Sequence, residues 1–263
     1  MSANSGTRFL QQAKLQGRVI WALTMREVIT RFGREGLGAL WMVLEPSMFI
    51  VGVMTIFSHT DSYGPYSVAE YLAVSYPTMI IWRNGANRCI KALEINRALL
   101  HHQPIRPMDI VYSRILLEFS GAAAAFLVLY LIFVALGICR LPSDTLQMAV
   151  GYLLILWFSF AFVLIMCALA ELSDTIEKIS HIIMYLMLPF SDVFLPAPLI
   201  PPHYRDLLLY FPLVDCVEYF HGGYYGTAMP TFYNIPYTLA SLLILTLFGF
   251  SLLNIAIRRF QLL

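Results

Sequence analysis

Long apolar stretches separated by short polar ones dominate the chain, and six of them predict membrane-spanning helices. A helix needs about 20 mainly apolar residues to cross a bilayer. The second and fifth stretches are the least uniform, because the second carries three basic residues in its later half and the fifth carries a histidine, a proline and an aspartate. The predicted spans are Leu37 to Phe57, Tyr71 to about Leu93, Ile110 to Gly137, Thr145 to Ala170, Ile179 to about Leu195, and Ile235 to Ile257.

Shorter apolar segments lie outside these spans. One stripe at helical spacing before the first span predicts an amphipathic helix in the membrane interface, and the alternative is an ordinary helix packed on protein. Residues 197–234 hold two apolar runs too short to span, which predict a re-entrant helical hairpin dipping into the outer leaflet. The stripe consists of Trp21, Met25, Val28, Ile29 and Phe32.

Basic residues are distributed unevenly between the loops, and this sets the predicted topology. With both termini in the cytoplasm, all but Arg140 and Arg205 of the 17 lysines and arginines lie on the cytoplasmic side or in the inner half of a span. Such a bias predicts the orientation of a multi-pass protein. The predicted organisation is a cytoplasmic N-terminus with the interface helix (1–35), a six-helix transmembrane domain (36–258) and a cytoplasmic tail (259–263).

Composition supports an all-α integral membrane protein. Hydrophobic residues make up 59% of the chain, charged residues only 13%, and the mean hydropathy is +0.70. These values exclude a disordered, fibrous or nucleic-acid-binding chain. The four cysteines have neither metal-ligand spacing nor the pattern of a disulfide framework.

Motifs of catalysis are absent from the sequence. It has no phosphate-binding G-x-x-x-x-G-K-[ST] loop, no H-E-x-x-H and no G-x-S-x-G. We therefore expect no catalytic residue, no metal site and no cofactor bound by this chain. A membrane-bound glycosyl- or acyltransferase stays open as an alternative, and it would depend on His101, His102 or Glu118.

Several polar residues fall within the predicted second span, where a charge costs about 2.5–3.5 kcal/mol at mid-bilayer. At 100° per residue they share an arc about 140° wide. This arc predicts a cationic, water-accessible conduit for an anionic substrate. Alternatively, Arg88 and Lys91 only reach cytoplasmic headgroups. The arc contains Arg83, Asn84, Asn87, Arg88 and Lys91.

The outer region is rich in tyrosine. These side chains predict either an interfacial aromatic belt or a platform for sugar rings. Asp192 lies between two prolines near the outer end of the fifth predicted span, and we expect its side chain to reach water. The tyrosines are Tyr204, Tyr210, Tyr219, Tyr224, Tyr225 and Tyr233.

The run from Arg31, Arg-Phe-Gly-Arg-Glu-Gly-Leu-Gly-Ala-Leu-Trp-Met-Val-Leu-Glu-Pro, resembles the start of type 2 ABC exporter permeases. It is most similar to the capsular polysaccharide export (KpsM-like) family. Further blocks agree, so that the resemblance covers about residues 30–260. They are Asn96 to Leu100 with Gln103 and Pro104, Arg114 to Glu118, Leu188 to Pro196, Tyr210 to Val214, and Val217 to Tyr219. The chain departs from the family pattern at Asp192, Phe211 and His221, where glycine, asparagine and arginine are common.

The resemblance implies a six-span type 2 ABC exporter transmembrane domain that moves a lipid-linked anionic capsular polysaccharide across the bacterial inner membrane. It implies a second copy of the chain and two ATP-binding subunits (KpsT-like), which would bind ATP and magnesium. It also implies a periplasmic adaptor or co-polymerase (KpsE-like) and an outer-membrane channel. O-antigen, teichoic acid or another amphipathic cargo is the alternative.

The resemblance also assigns roles to residues besides the conduit. The cytoplasmic mouth would include Arg31, Arg34, Trp41 and Glu45. A coupling helix over about residues 94–106 would dock on the ATPase through Glu94, Asn96, Arg97, His101, His102 and Gln103. The periplasmic gate would include Asp192, Glu218, Tyr219, Tyr224 and Tyr225.

Overall fold

A computed structural model describes residues 3–33, 38–57, 67–102 and 105–262, and within these ranges the chain is helical and has no β-strand. Most hydrophobic segments of the sequence form helices, in which the chain satisfies its own backbone hydrogen bonds. The helices are α1 (Ala3–Phe32), α2 (Gly38–Phe57), α3 (Val68–Cys89), α4 (Ala92–Ile95), α5 (Arg97–His102), α6 (Pro107–Ala135), α7 (Thr145–Leu172), α8 (Asp174–Leu186), α9 (Pro202–Leu208), α10 (Pro212–Tyr225) and α11 (Ile235–Leu262).

Three of these helices, α6, α7 and α11, are long and apolar enough to cross a membrane. They match the predicted third, fourth and sixth spans, and most of the helix ends agree to within a few residues. The first and second predicted spans coincide with α2, of 20 residues, and α3, of 22 residues. The all-helical membrane class is therefore confirmed, and the count of six crossings stays a prediction.

The predicted fifth span is wrong as a single helix from Ile179 to Leu195. Helix α8 has 13 residues and ends at Leu186, and a 3₁₀ turn at Leu188–Phe190 follows it. At 1.5 Å per residue α8 is about 20 Å long, which is shorter than a bilayer core. Pro189 has no backbone N–H to continue the helix, and Asp192 then takes a left-handed conformation with φ of 52°.

Helix α7 forms the centre of the fold and packs against α3, α10 and α11. Two glycines let α7 and α10 approach closely, as small residues do between membrane helices. A Cβ atom on Gly151 of α7 would lie 2.5 Å from Cα of Phe220, and one on Gly223 of α10 would collide with the backbone of Met148. The outer end of α7 is therefore covered by α10.

Helix α1 packs on α6 through one face and leaves the predicted apolar stripe partly exposed, with Met25 and Val28 half-buried. Leu23 and Thr24 are buried, and Gln16 Nε2 donates to Oδ1 of Asp109 on α6 at 3.0 Å. Trp21 and Ile29 are 60% and 68% exposed. The side chain of Phe32 is outside the described set. The helix thus packs on protein through its other side while the exposed part of its stripe stays available to a membrane surface.

The segment 197–234 contains α9 and α10, joined by a turn at residues 209–211, so two short helices stand where the hairpin was predicted. Helix α10 is buried along most of its length. How deep the pair lies in a bilayer stays a prediction.

The predicted coupling helix is divided into α4 and α5, because the regular helix is interrupted at Asn96.

Candidate transport surface and outer polar cluster

Four of the five predicted conduit residues lie on the partly exposed side of the inner half of α3. Arg83, Asn84 and Asn87 are half-buried, and Arg88 is exposed. Gly85 points the other way, since a Cβ there would contact Val163 of α7 and Phe119 of α6. The 100° spacing therefore placed four of the five residues on one accessible face. Among the residues that the structure describes, Arg83 has no ion-pair partner.

Lys91 has a different environment from the rest of the arc. It follows α3 with a positive φ of 53°, and its side chain is only 15% exposed. Its Nζ lies 2.7 Å from Oδ1 of Asp174 and 2.8 Å from Oε2 of Glu94. This hydrogen bond and the lysine charge lower the pKa of the Asp174 carboxyl. Lys91 therefore binds the start of α8 instead of presenting a free charge.

Next to Lys91, a hydrogen bond connects the predicted coupling segment to α7. The backbone N–H of Leu93 donates to Oε1 of Glu171 at 2.8 Å. Asn96 is buried and follows the last residue of α4. Its Nδ2 donates to the carbonyl oxygen of Ala92, the first residue of that helix. Arg97 is exposed, with its guanidinium 5.6 Å from the ring centre of Phe260. A displacement of α4 would therefore act directly on α7 and α8.

The side chains of the remaining predicted cytoplasmic residues lie outside the described part of the structure. The side chains of His101 and His102 fall outside the described set, and so does Gln103. The same holds for Arg34 and for the side chains of Arg31, Trp41 and Glu45, which lie at the end of α1 or in α2. Their assignment to the coupling segment and the cytoplasmic mouth stays a prediction.

A further basic cluster joins α1, α3 and α6. Arg114 Nη1 donates to the carbonyl oxygen of Arg88 at 2.7 Å, and its Nε lies 3.8 Å from Oε1 of Glu27. Nε of Arg88 lies 4.0 Å from Oε1 of Glu118. The end of α3 is therefore attached to α6 while the Arg88 side chain stays 59% exposed.

Two of the predicted gate tyrosines are buried, so the prediction of an accessible platform is wrong for them. Tyr224 and Tyr225 lie in the core beneath the loop between α6 and α7. The Tyr224 hydroxyl donates to Oε1 of Glu70 at 2.8 Å, and the same oxygen accepts from Nε of Arg140 at 2.8 Å. The exposed tyrosines of the outer region include Tyr204, Tyr210 and Tyr233, and Tyr219 is half-buried.

The Glu70–Arg140 pair was not anticipated. Arg140 also donates from Nη2 to Oε2 of Glu70 at 3.1 Å, so the pairing uses both carboxylate oxygens. It connects the outer end of α3 to the loop before α7. The available signal was that Arg140 is one of only two basic residues outside the cytoplasmic set.

Asp192 is buried, so the prediction that it reaches water is wrong. It lies with Glu218 and His221 of α10 in one cluster, and Oδ2 of Asp192 is 3.4 Å from Nδ1 of His221. Two of the three departures from the family pattern are thus direct neighbours. That pairing is not apparent in the sequence, since 28 positions separate the two residues.

Comparisons with known proteins place these features in a class. Residues 18–225 match the family of ABC-2 type transporters. The capsule polysaccharide export inner-membrane protein BexB of Haemophilus influenzae is 34% identical over 251 residues, which are 95% of each chain. CtrC of Neisseria meningitidis serogroup B, with the same description, is 32% identical over 256 residues, 97% of each chain. The polysialic acid transport protein KpsM of Escherichia coli is 28% identical over 237 residues, 88% of this chain and 92% of that one.

The chain therefore belongs to the ABC-2 type transporter family, in the group of capsule polysaccharide export inner-membrane proteins. The family match and the transporter relatives indicate a transport subunit that is not itself an enzyme. They favour this interpretation over the transferase alternative, which depended on His101, His102 or Glu118.

Proposed function

We propose that this chain is the permease subunit of an ATP-driven exporter that moves a lipid-linked anionic capsular polysaccharide across the bacterial inner membrane. The observation that carries the proposal is the similarity to capsule export proteins along 95% of the chain. The apolar helices α6, α7 and α11 suit residence in that membrane. The distribution of basic residues supports a topology with both termini in the cytoplasm.

The accessible face of α3 suits an anionic cargo. Arg83 and Arg88 would offer guanidinium groups, which bind phosphate and carboxylate in a bidentate way. Asn84 and Asn87, on the same arc, supply neutral hydrogen-bonding groups. Because α6 and α7 cover the opposite face, this arc is free to line a path that a second copy of the chain would complete. The proposed exporter is thus a homodimer with the conduit between its two α3 helices.

ATP hydrolysis is assigned to two ATP-binding partner subunits of KpsT type, which would hold the nucleotide and magnesium. Helices α4 and α5 offer them an exposed contact, with Glu94 and Arg97 at its surface. The bonds from Lys91 to Asp174 and from Leu93 to Glu171 give this contact a mechanical link to α7 and α8. A periplasmic adaptor and an outer-membrane channel would receive the polymer beyond the α9–α10 hairpin.

The test is co-purification in detergent with a KpsT-type ATP-binding subunit from the same organism, followed by ATP hydrolysis in nanodiscs. We expect a stable complex whose hydrolysis is stimulated by lipid-linked glycan. Arg97→Glu should weaken the complex, because it reverses an exposed charge on α5. Lys14→Glu, an equal reversal on exposed α1, is the control and should leave it unchanged. A wild-type chain that binds no ATPase would contradict the proposal, and unchanged binding by Arg97→Glu would remove α5 from it.

A further inference from the structure

A cluster of three potential metal ligands is buried below the outer end of α3. Asp192 comes from the segment after α8, and Glu218 and His221 come from α10. One nitrogen or oxygen atom of each side chain lies within 4.8 Å of those of the other two. Their relative exposures are 5%, 0% and 0%. The cluster lies apart from the cationic arc and plays no part in the proposed export mechanism.

Hydrogen bonds from the surrounding protein hold both acidic residues of the cluster in place. The Tyr71 hydroxyl donates to the carbonyl oxygen of Asp192 at 2.6 Å and lies 3.5 Å from Oδ1 of the same residue. Oε2 of Glu218 accepts a hydrogen bond from the backbone N–H of Phe232 at 2.6 Å. One oxygen of each carboxylate is therefore left to face the centre of the cluster.

The imidazole is held in the same way. Nε2 of His221 lies 2.8 Å from Oγ of Ser75, which is fully buried on α3. If Nε2 donates in this bond, Nδ1 carries a free lone pair, which is the arrangement that second-shell hydrogen bonds give to metal-binding histidines. Within the part of the chain that the structure describes, three atoms of the cluster have no hydrogen-bond partner: Oδ2 of Asp192, Oε1 of Glu218 and Nδ1 of His221.

Three unpartnered acceptors in one buried space are unfavourable by themselves. A buried polar group without a hydrogen bond costs free energy, and two neighbouring buried carboxylates repel each other when both are ionised. Either a proton shared between the carboxylates or a bound cation removes this cost. A cation satisfies all three atoms together. Without a cation, the cluster needs both a proton shared between the two carboxylates and the Nδ1–H tautomer of His221, whose Nδ1 lies 3.4 Å from Oδ2 of Asp192.

One of the three donor–donor distances fits a cation of the zinc type, and all three are within 4.8 Å. Zn²⁺ binds histidine nitrogen and carboxylate oxygen at about 2.0–2.2 Å, so the donors of a tetrahedral site are about 3.4 Å apart. Oδ2 of Asp192 and Nδ1 of His221 are 3.4 Å apart. Asp192 also keeps a positive φ of 52°, a strained conformation for a residue with a side chain, and such strain is typical of functional positions.

We propose that Asp192, Glu218 and His221 bind a buried divalent cation, most suitably Zn²⁺, which fixes the segment after α8 to α10. The complete burial of the ligands indicates a structural ion, because a catalytic zinc keeps a position open to substrate. A water molecule would supply a fourth donor. The ion would stabilise the outer wall of the fold independently of ATP and cargo.

The experiment uses the full-length chain in detergent, stripped with a chelator and then titrated with Co²⁺ as a spectroscopic substitute for Zn²⁺. We expect a visible d–d absorption band that saturates at one equivalent per chain and disappears when Zn²⁺ is added. Zn²⁺ should also raise the midpoint of thermal unfolding, since a ligand that binds only the folded state stabilises it. If the wild-type chain shows neither a saturable band nor a thermal shift, the proposal is overturned. The cluster is then stabilised by a proton shared between the carboxylates and not by a cation.

Variants locate the ion. Glu218→Gln and His221→Gln should each lose the Co²⁺ band. The matched control is Asp215→Asn, since Asp215 is a buried acid on the same helix whose Oδ2 already accepts from Thr238 and from the Asn234 N–H. It should keep the band. Retention of the band by both cluster variants would place the ion elsewhere and contradict the assignment. If a variant fails to fold, the wild-type titration still decides the question.

Discussion

The two halves of α3 differ in almost every property except their helical backbone. From Tyr71 to Met79 the outer half is buried on all sides, and its polar groups, such as those of Tyr71 and Ser75, bond to other elements. From Arg83 to Arg88 the inner half buries only one face and carries its charges on the other. The outer half holds the fold together, and the inner half leaves charged groups available for a ligand.

This contrast separates two uses of polar residues in a membrane protein. A buried polar group is costly unless it has a partner, so the outer half can keep its polar residues only because partners from other elements are close. A charged group that lies on an exposed face without a protein partner to neutralise it can bind a transported ligand of opposite charge. Substitutions in the outer half should therefore change stability, and those in the inner half should change transport.

The largest effect on the free energy of unfolding is expected where α10 packs beside the outer half. Gly223→Ala should cost about 3 kcal/mol, the upper part of the usual range for overpacking, because the added Cβ meets the backbone of Met148, which cannot rotate away. Thermal unfolding in detergent measures this. Gly17→Ala on α1 is the control, since a Cβ there meets nothing within 4 Å and should stabilise slightly. Equal unfolding midpoints would show that α10 is less tightly packed than the distances imply.

A smaller loss is expected at the polar contact that closes the outer end. Glu70→Gln removes the charge that accepts from Arg140 and Tyr224, and we expect a cost of about 1.5 kcal/mol. The value lies at the low end for charged hydrogen bonds because the Arg140 side chain is 50% exposed and partly screened. Unfolding in detergent again provides the measurement.

Glu94→Gln is the comparison for the inner end. Glu94 pairs with Lys91 but is 58% exposed, and Asp174 remains to bind Lys91 when Glu94 is neutralised. The change in unfolding midpoint should therefore be smaller than for Glu70→Gln. A larger change at Glu94 would reverse the proposed distinction between the two ends.

Much of the fold could be predicted from hydropathy, because most apolar stretches form helices. The start of α7 at Thr145 and of α11 at Ile235 agree with the predicted spans. The break after Leu186 was not predicted, since the fifth span was expected to continue to about Leu195. The sequence shows Pro189 and Asp192, but a proline in an apolar stretch either kinks a helix or ends it, and the outcome depends on packing.

The candidate sites were predictable only as far as they depend on neighbours along one helix. The spacing of Arg83, Asn84, Asn87 and Arg88 fixes their common face without any knowledge of the rest of the chain. Long-range partners have no such signature. Lys91 bonds to Asp174, 83 positions away, and Tyr224 bonds to Glu70, 154 positions away.

The smallest effect on stability, and the one that tests transport, is expected at Arg83. Arg83→Ala should change the free energy of unfolding by less than about 0.5 kcal/mol, because the side chain is half-exposed and has no ion-pair partner among the described residues. Surface polysaccharide should nevertheless fall about tenfold, since a charge-assisted hydrogen bond to the cargo is worth about 1.5 kcal/mol or more. Quantitative immunoblotting of polymer on the cell surface and inside the cell, at matched expression, measures both pools. Arg106→Ala removes an exposed arginine outside the arc and should impair export less than Arg83→Ala does. Equal surface polymer in the two variants would mean that the accessible face of α3 carries no cargo, and the inner half would then differ from the outer half only in exposure.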